Sequence, residues 1–374
     1  MQTPYFQYDA AIIRARVADL RNAFADLNVK LYYAVKANDH PAVINIAASA
    51  GIGACLVSQG EMKRALAGGV AAQNMLMNGV GKSEEDIRFA LKNTIGQLNV
   101  ESMAELPEIA RIAADMNMRV PVCLRINPEI AATTHSHLAT GRRTDKFGIL
   151  VEDIPAAAQI IAANPQLDWR GFSCHIGTQV HDIAELTGGY TFMVKLFEEW
   201  RAKNPQFDRL DLGGGFGVSY TGETYAQPSD YAALIQKLCG GLMESGVTIQ
   251  LEPGRFIAAE SGNLVTKVLY VKDSGGTRFV VVDAGMNNLI RPALYGAYHP
   301  VSLARGSSAA AQNCTIVGPV CESGDVFGTE RPLPSDVKAG DVLHLGYAGA
   351  YGAAMASQYN ARDRLAEYLK DGDE

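Results

Sequence analysis

Between residues 29 and 252, short apolar runs alternate with longer stretches whose apolar positions recur at helical spacing. The runs at 30–36, 52–57, 74–77, 98–100, 120–126, 172–175, 210–212 and 249–252 predict strands. The stretches at 40–50, 60–67, 83–91, 103–117, 154–163, 183–202 and 228–245 predict helices between them. Strands that alternate with helices imply parallel βα units. Eight such units predict an α/β fold, a (β/α)8 barrel over residues 26–260. Past residue 260 the pattern changes: 264–271, 278–283, 314–317 and 342–345 are β-like and separated by turns rich in Gly and Pro, and a helix is predicted at 361–369. This is a C-terminal β domain, residues 261–374, which residues 1–25 are expected to join through an N-terminal strand. No internal repeat or low-complexity segment interrupts the chain.

Composition narrows the function classes. With 48% apolar and 20% charged residues, the chain is an ordinary globular one. A formal net charge of −7 disfavours non-specific binding to nucleic acid or anionic membrane. The six cysteines form no CxxC pair, so reduced thiols in the cytoplasm are expected and a zinc ribbon is not. The start of the chain lacks a basic region followed by an apolar core, and no apolar run approaches the ~18 residues of a membrane helix.

Reactive groups in such a barrel sit at the C-terminal ends of strands. Lys36 ends the first predicted strand and His175 the sixth; Gly213-Gly214-Gly215 follows the seventh, and Glu252 ends the eighth. Each has a plain structural reading. A strand-end lysine is about as often simply solvated, a lone histidine is more often a hydrogen-bonded structural residue, and a triple glycine is usually a tight turn. If Lys36 is buried, its ammonium pKa falls and the neutral amine becomes a good nucleophile. Together a lysine, a phosphate-binding turn, a flat imidazole and a carboxylate are the parts that hold pyridoxal 5'-phosphate. A metal-dependent barrel hydrolase is the alternative from another class. It needs clustered His and carboxylate ligands, and His135 with His137 is the one close pair.

At this point the chain resembles the diaminopimelate decarboxylases, within the alanine-racemase-like pyridoxal-phosphate enzymes, from about residue 30 to 367. The motifs are Tyr33-Ala-Val-Lys-Ala-Asn38, His175-Ile-Gly-Thr-Gln179, Gly213-Gly-Gly-Phe-Gly217, Glu252-Pro-Gly-Arg255, Val282-Asp-Ala-Gly-Met-Asn287, Arg291-Pro-Ala-Leu-Tyr-Gly-Ala-Tyr-His299, Gly318-Pro-Val-Cys-Glu-Ser-Gly-Asp325 and Gly349-Ala-Tyr-Gly352. The resemblance implies that Lys36 is the Schiff-base lysine and that His175 stacks on the cofactor ring. It implies that Gly214, Gly215 and Gly254 offer backbone to the phosphate, that Thr178 adds a hydroxyl, and that Glu252 pairs with the pyridine nitrogen. Arg255, Arg291 and Tyr295 would hold the distal carboxylate of the substrate and Glu322 its distal ammonium. Cys321 would be the acid that protonates the carbanion, and Tyr351 would line the cofactor and substrate pocket. A homodimer with shared sites is also implied, Cys321 and Glu322 coming from the other subunit.

An arginine suits a substrate with a second carboxylate, because its planar fork binds that group in two places. The implied reaction turns meso-2,6-diaminopimelate into L-lysine and CO2. A related decarboxylase for another amino acid with a distal anionic group, and a non-catalytic pyridoxal-phosphate carrier, are the alternatives. Cys55 stands where the family commonly has aspartate, Gln59 where glycine is usual, and the stretch from Ser357 to Arg364 lacks the usual prolines and carries Gln358 for asparagine.

Overall fold

The computed structural model describes residues 1–128 and 146–372. In chain order the elements are β1 (Tyr5–Asp9), α1 (Ala10–Ala23), β2 (Val29–Ala34), α2 (Pro41–Ser49), β3 (Gly53–Leu56), α3 (Gln59–Ala67), β4 (Met75–Met77), α4 (Glu84–Lys92), β5 (Gln97–Val100), α5 (Glu105–Asp115) and β6 (Val120–Asn127). They continue as β7 (Ile149–Leu150), α6 (Ile154–Ala163), β8 (Leu167–Ser173), α7 (Ala184–Arg201), β9 (Arg209–Asp211), α8 (Pro228–Glu244) and β10 (Thr248–Leu251). Last come α9 (Arg255–Ala258), β11 (Gly262–Ser274), β12 (Thr277–Val282), α10 (Arg291–Tyr295), β13 (Val301–Leu303), β14 (Ala311–Val317), β15 (Val326–Pro334), β16 (Val342–Leu345) and β17 (Ala366–Lys370).

Contacts divide the chain into two compact units. The first comprises Arg16–Gly217 and Thr224–Gly254; the second comprises Met1–Ala15, Val218–Glu223 and Arg255–Glu374.

The first unit is a closed parallel barrel. Its ring runs β2, β3, β4, β5, β6, β8, β9, β10 and back to β2, with β7 a short addition to β6. Strands β3, β4 and β5 are buried along their whole length, as a sheet covered on both faces requires. The inner face is not purely apolar. Gln97 and Asn99, two apart on β5, reach across the ring: Gln97 Nε2 donates to Gln250 Oε1 on β10 (3.0 Å) and Asn99 Nδ2 to Asp211 Oδ2 on β9 (3.1 Å). Buried amides of this kind persist because each finds a partner. Helix α4 begins where Ser83 and Asp86 cap each other: Asp86 N–H donates to Ser83 Oγ (3.1 Å) and Ser83 N–H to Asp86 Oδ2 (3.0 Å).

Strands β2, β8, β9 and β10 end at Ala34, Ser173, Asp211 and Leu251. Lys36, His175, Gly213 and Glu252 therefore stand one or two residues beyond the sheet, in the turns at its C-terminal rim.

The second unit is a sheet in the order β13-β16-β11-β12-β14-β15, with β1 pairing antiparallel to β11 and parallel to β17. Within the stretch expected to be a helix at 361–369, the structure has strand β17 from Ala366 onward. Its exposed and half-buried positions alternate, and Tyr8 Oη donates to Glu367 Oε2 (2.5 Å) beside the pairing. Ala, Glu, Leu and Lys favour helices in isolation, but an open neighbour in β1 overrides that preference.

Candidate active site

Lys36 lies in the single 3-10 turn Val35–Ala37 that follows β2. It is exposed, so the burial that would lower its ammonium pKa is not found. The backbone leaves the sheet at Ala34, so the lysine stands at a cavity wall and not within a strand. That cavity, about 140 Å³, is lined by Lys36, Asn78, Glu101, Arg125, Ser173, His175, Thr178, Asp211 and Glu252 among others. Four elements of the sequence expectation, Lys36, His175, Thr178 and Glu252, thus meet in one place.

His175 Nδ1 accepts the Gly214 N–H at 3.2 Å. Burial, then the charges of Lys36 and Arg125, hold its pKa well below the usual histidine value. The imidazole is therefore neutral at pH 7 and carries its proton on Nε2. The Gly214 N–H, expected to face a phosphate, is directed at this ring instead. Gly213 and Gly215 have φ of +74° and +99°, and a Cβ on Gly214 would lie 2.5 Å from the Glu252 carbonyl oxygen. Side chains are excluded from this turn, which leaves bare backbone beside the cavity. Gly254 is likewise confined, since a Cβ there would come 2.9 Å from that of Ala34.

Glu252 Oε1 accepts from Asn78 Nδ2 (2.7 Å), and Asp211 shares a side-chain hydrogen bond with Glu252. Asp211 Oδ1 also takes the Gly213 N–H at 2.9 Å. Burial, then the charge of Glu252, hold the Asp211 carboxyl well above its ordinary range. Two carboxyls in contact retain one proton between them. The raised Asp211 carboxyl is the one that keeps it. Cys55 Sγ lies 3.2 Å from Asn78 Nδ2, and burial followed by Glu252 pushes its thiol up, so Cys55 supplies a neutral group here.

Two buried hydroxyls, Thr178 Oγ1 and Ser173 Oγ, have no hydrogen-bond partner among the described residues. Orphaned hydroxyls beside a cavity call for a polar ligand. The donor set fits pyridoxal phosphate: an amine for its aldehyde, a glycine turn and hydroxyls for its phosphate, a flat neutral ring, and a carboxylate for its nitrogen. Sequence reasoning did not single out Asp211, Asn78 or Ser173. A lone aspartate between Leu210 and Leu212 was the available signal for the first.

The remaining candidates lie in the second unit. Arg255 Nη1 donates to Tyr220 Oη (3.0 Å), and its guanidinium lies 4.8 Å from the centre of the Tyr351 ring. The Arg291 guanidinium lies 5.0 Å from the centre of the Tyr220 ring, and its Nη1 is 2.9 Å from His299 Nε2. Arg291 is 7% exposed, and among the described residues neither arginine has a carboxylate partner. Tyr220, which joins the two, was not anticipated. Tyr295 closes helix α10 and is 60% exposed. Cys321 is the exposed one of the six cysteines; its N–H donates to Asn360 Oδ1 (3.0 Å), and Asp325 Oδ2 accepts the Val320 N–H (2.7 Å) in the same loop. Glu322 is exposed beside it. His135 and His137, the pair a metal hydrolase would need, lie outside the described residues.

Comparison with known proteins agrees with this geometry. Residues 10–259 match the family model described as pyridoxal-dependent decarboxylase, pyridoxal binding domain. The diaminopimelate decarboxylase of Neisseria meningitidis serogroup B is 41% identical over 372 residues, covering 100% of this chain and 89% of that protein. That of Haemophilus influenzae is 40% identical, with 100% and 89% covered. The crystal structure of diaminopimelate decarboxylase from Helicobacter pylori complexed with L-lysine superposes with a TM-score of 0.93 at 37% identity, covering 100% of this chain and 93% of that one. A lysine/ornithine decarboxylase from Vibrio vulnificus complexed with putrescine matches at TM-score 0.83 and 25% identity, with 99% and 94% covered.

Proposed function

This chain belongs to the diaminopimelate decarboxylases, and from that premise we propose how its residues divide the reaction. The protein uses pyridoxal phosphate to convert diaminopimelate into L-lysine and CO2. When bound, the cofactor supplies a protonated ring that accepts the electron pair released as CO2 leaves. Lys36 anchors the cofactor through its amine. The His175 ring would stack on the pyridine, and the Gly214 N–H fixes that imidazole. Thr178, Gly215 and Gly254 hold the phosphate. The Glu252 side chain, with the Asp211 carboxyl bonded behind it, would hold the proton of the pyridine nitrogen.

Arg255, Arg291 and Tyr295 receive the distal carboxylate of meso-diaminopimelate, with Tyr351 lining the pocket, so that the D centre is the one presented for reaction. Glu322 takes the distal ammonium, and the Cys321 thiol returns a proton to the carbon that lost CO2. The observation that carries this reading is a buried arginine, Arg291, and a half-buried one, Arg255, whose partners among the described residues are neutral. Uncompensated buried cations call for an anionic ligand. A decarboxylase for plain lysine or ornithine would need acids there.

Cys321 and Glu322 are exposed, as are Leu294 (55%) and Tyr295 (60%). This supports a two-fold homodimer in which Cys321 and Glu322 of the partner subunit complete each site. Six unpaired cysteines support a reducing, cytoplasmic setting. Among the described residues no helix is long and apolar enough to cross a membrane.

The test is Arg291→Ala. Loss of a charge-assisted contact should raise the KM for diaminopimelate roughly 10- to 100-fold while cofactor affinity changes less than about twofold. Turnover of diaminopimelate equal to that of the unaltered protein contradicts the assignment.

A further inference from the structure

We propose that His299 is a positioning residue for substrate selection: it fixes Arg291 through a neutral acceptor and so leaves the arginine's charge available to a carboxylate ligand. The proposal rests on the reading of Arg291 as receiver of the distal carboxylate, and adds how that arginine is kept both still and cationic.

The geometry sets the tautomer. His299 is fully buried, and its Nδ1 lies 2.8 Å from the Gly346 carbonyl oxygen. A carbonyl can only accept, so Nδ1 carries the proton. Nε2 then presents a lone pair to Arg291 Nη1, 2.9 Å away, and the guanidinium donates. A second proton on the ring would set N–H against N–H. Burial and the charge of Arg291 agree, holding the His299 pKa down to about 3. Tyr220 adds a further neutral wall, its ring 5.0 Å from the Arg291 guanidinium and edge-on to His299 at 5.8 Å.

The same chain also shows the usual alternative. In the barrel unit Arg125 Nη1 meets Glu101 Oε1 at 2.6 Å, both nearly buried, and that arginine is neutralised. A carboxylate at position 299 would hold Arg291 as firmly but would take the place of the ligand. An imidazole holds one edge and leaves the net charge intact.

The experiment measures kcat and KM for diaminopimelate in the holoenzyme. It adds inhibition by L-lysine, which keeps one carboxylate, and by cadaverine, the same chain without it. His299→Ala should raise the KM for diaminopimelate and the inhibition constant of lysine about tenfold, with kcat falling less than about threefold and cadaverine inhibition moving less than about twofold. His299→Gln, which restores a neutral acceptor, should recover most of that loss. His299→Glu should bind diaminopimelate worse than His299→Gln by at least about tenfold and should favour cadaverine over lysine relative to it. In an Arg291→Ala background, His299→Ala should add less than about twofold.

The proposal is overturned if His299→Glu binds diaminopimelate as well as His299→Gln. It is also overturned if the loss in His299→Ala persists in full without Arg291, or strikes cadaverine and kcat equally. The Gln and Glu variants decide the matter even where the alanine variant does not fold. Arg291→Ala without effect on KM removes the distal-carboxylate reading itself. A damaged Arg291→Ala beside a harmless His299→Ala removes only the role of His299.

Discussion

Glu252→Gln separates what the carboxyl pair does for catalysis from what it does to the fold. The substitution keeps size, and the new amide oxygen can still accept from Asn78 Nδ2, now 2.7 Å from Glu252 Oε1. On the proposed role of Glu252, the pyridine nitrogen loses a charge-assisted bond of about 1.5–3 kcal/mol, so kcat should fall roughly 10- to 100-fold. The apoprotein should respond in the opposite sense. Asp211 is raised in the fold by burial and then by Glu252. A carboxyl so raised is favoured in the fold while protonated; that advantage is full below its ordinary value of 3.8 and is lost as pH rises through the folded value. Without the neighbouring charge Asp211 can ionise and accept from Gly213, Asn99 and the new amide. We take the relief as about 1–2 kcal/mol near neutral pH. At roughly 2.1 cal/mol/K per residue, a chain of 374 residues unfolds with about 0.8 kcal/mol/K. The apoprotein Tm should therefore rise by about 1–3 °C at pH 8, and the gap should close as pH falls through the carboxylate range. Thermal unfolding of cofactor-stripped protein at pH 5 and pH 8, paired with CO2 release by the loaded enzyme, measures both effects. An apoprotein that is no more stable at pH 8, or a kcat that does not move, refutes the shared-proton account of Glu252.

Borohydride reduction of the loaded enzyme should fix a pyridoxyl group on Lys36, and peptide mapping that finds it on another lysine would refute the anchor. Mild alkylation of the native protein should label Cys321 first, because the other cysteines are buried and the thiolate must be reached to react; rapid labelling of Cys55 or Cys174 would contradict the placement. Chains carrying Lys36→Ala and chains carrying Cys321→Ala, inactive alone, should regain about a quarter of normal activity when their subunits exchange at random, because one site of each mixed dimer collects no defect. Demonstrated exchange without recovery would mean that each site is built within one chain.

The barrel was legible because strands buried on both faces cannot hide as polar alternation; seven of the eight runs coincide with an observed strand to within two residues, and the sixth catches only the end of β8. Helix α1 (Ala10–Ala23) was not anticipated, although Asp9, whose Oδ1 takes the Ala11 N–H at 2.8 Å, is a start signal that pattern reading can use. Strand β15 was hidden by Gly328, Pro332 and Pro334, and β17 by its helix-forming residues. Lys36, His175, Thr178 and Glu252 were readable because they are chemically unusual at strand ends, and the structure gathers them at one cavity. Tyr220 and His299 were not. Their work depends on contacts with residues far along the chain, Arg255 and Gly346, which no local spacing encodes.

The most direct test of the central claim is CO2 release by purified protein with pyridoxal phosphate, given meso-diaminopimelate, L-lysine and L-ornithine in separate reactions. The arginine pair of the second unit predicts rapid release from diaminopimelate with L-lysine as product, and release from lysine and ornithine lower by at least about 100-fold, the worth of a lost pair of charge-assisted contacts. Comparable release from lysine or ornithine would contradict it.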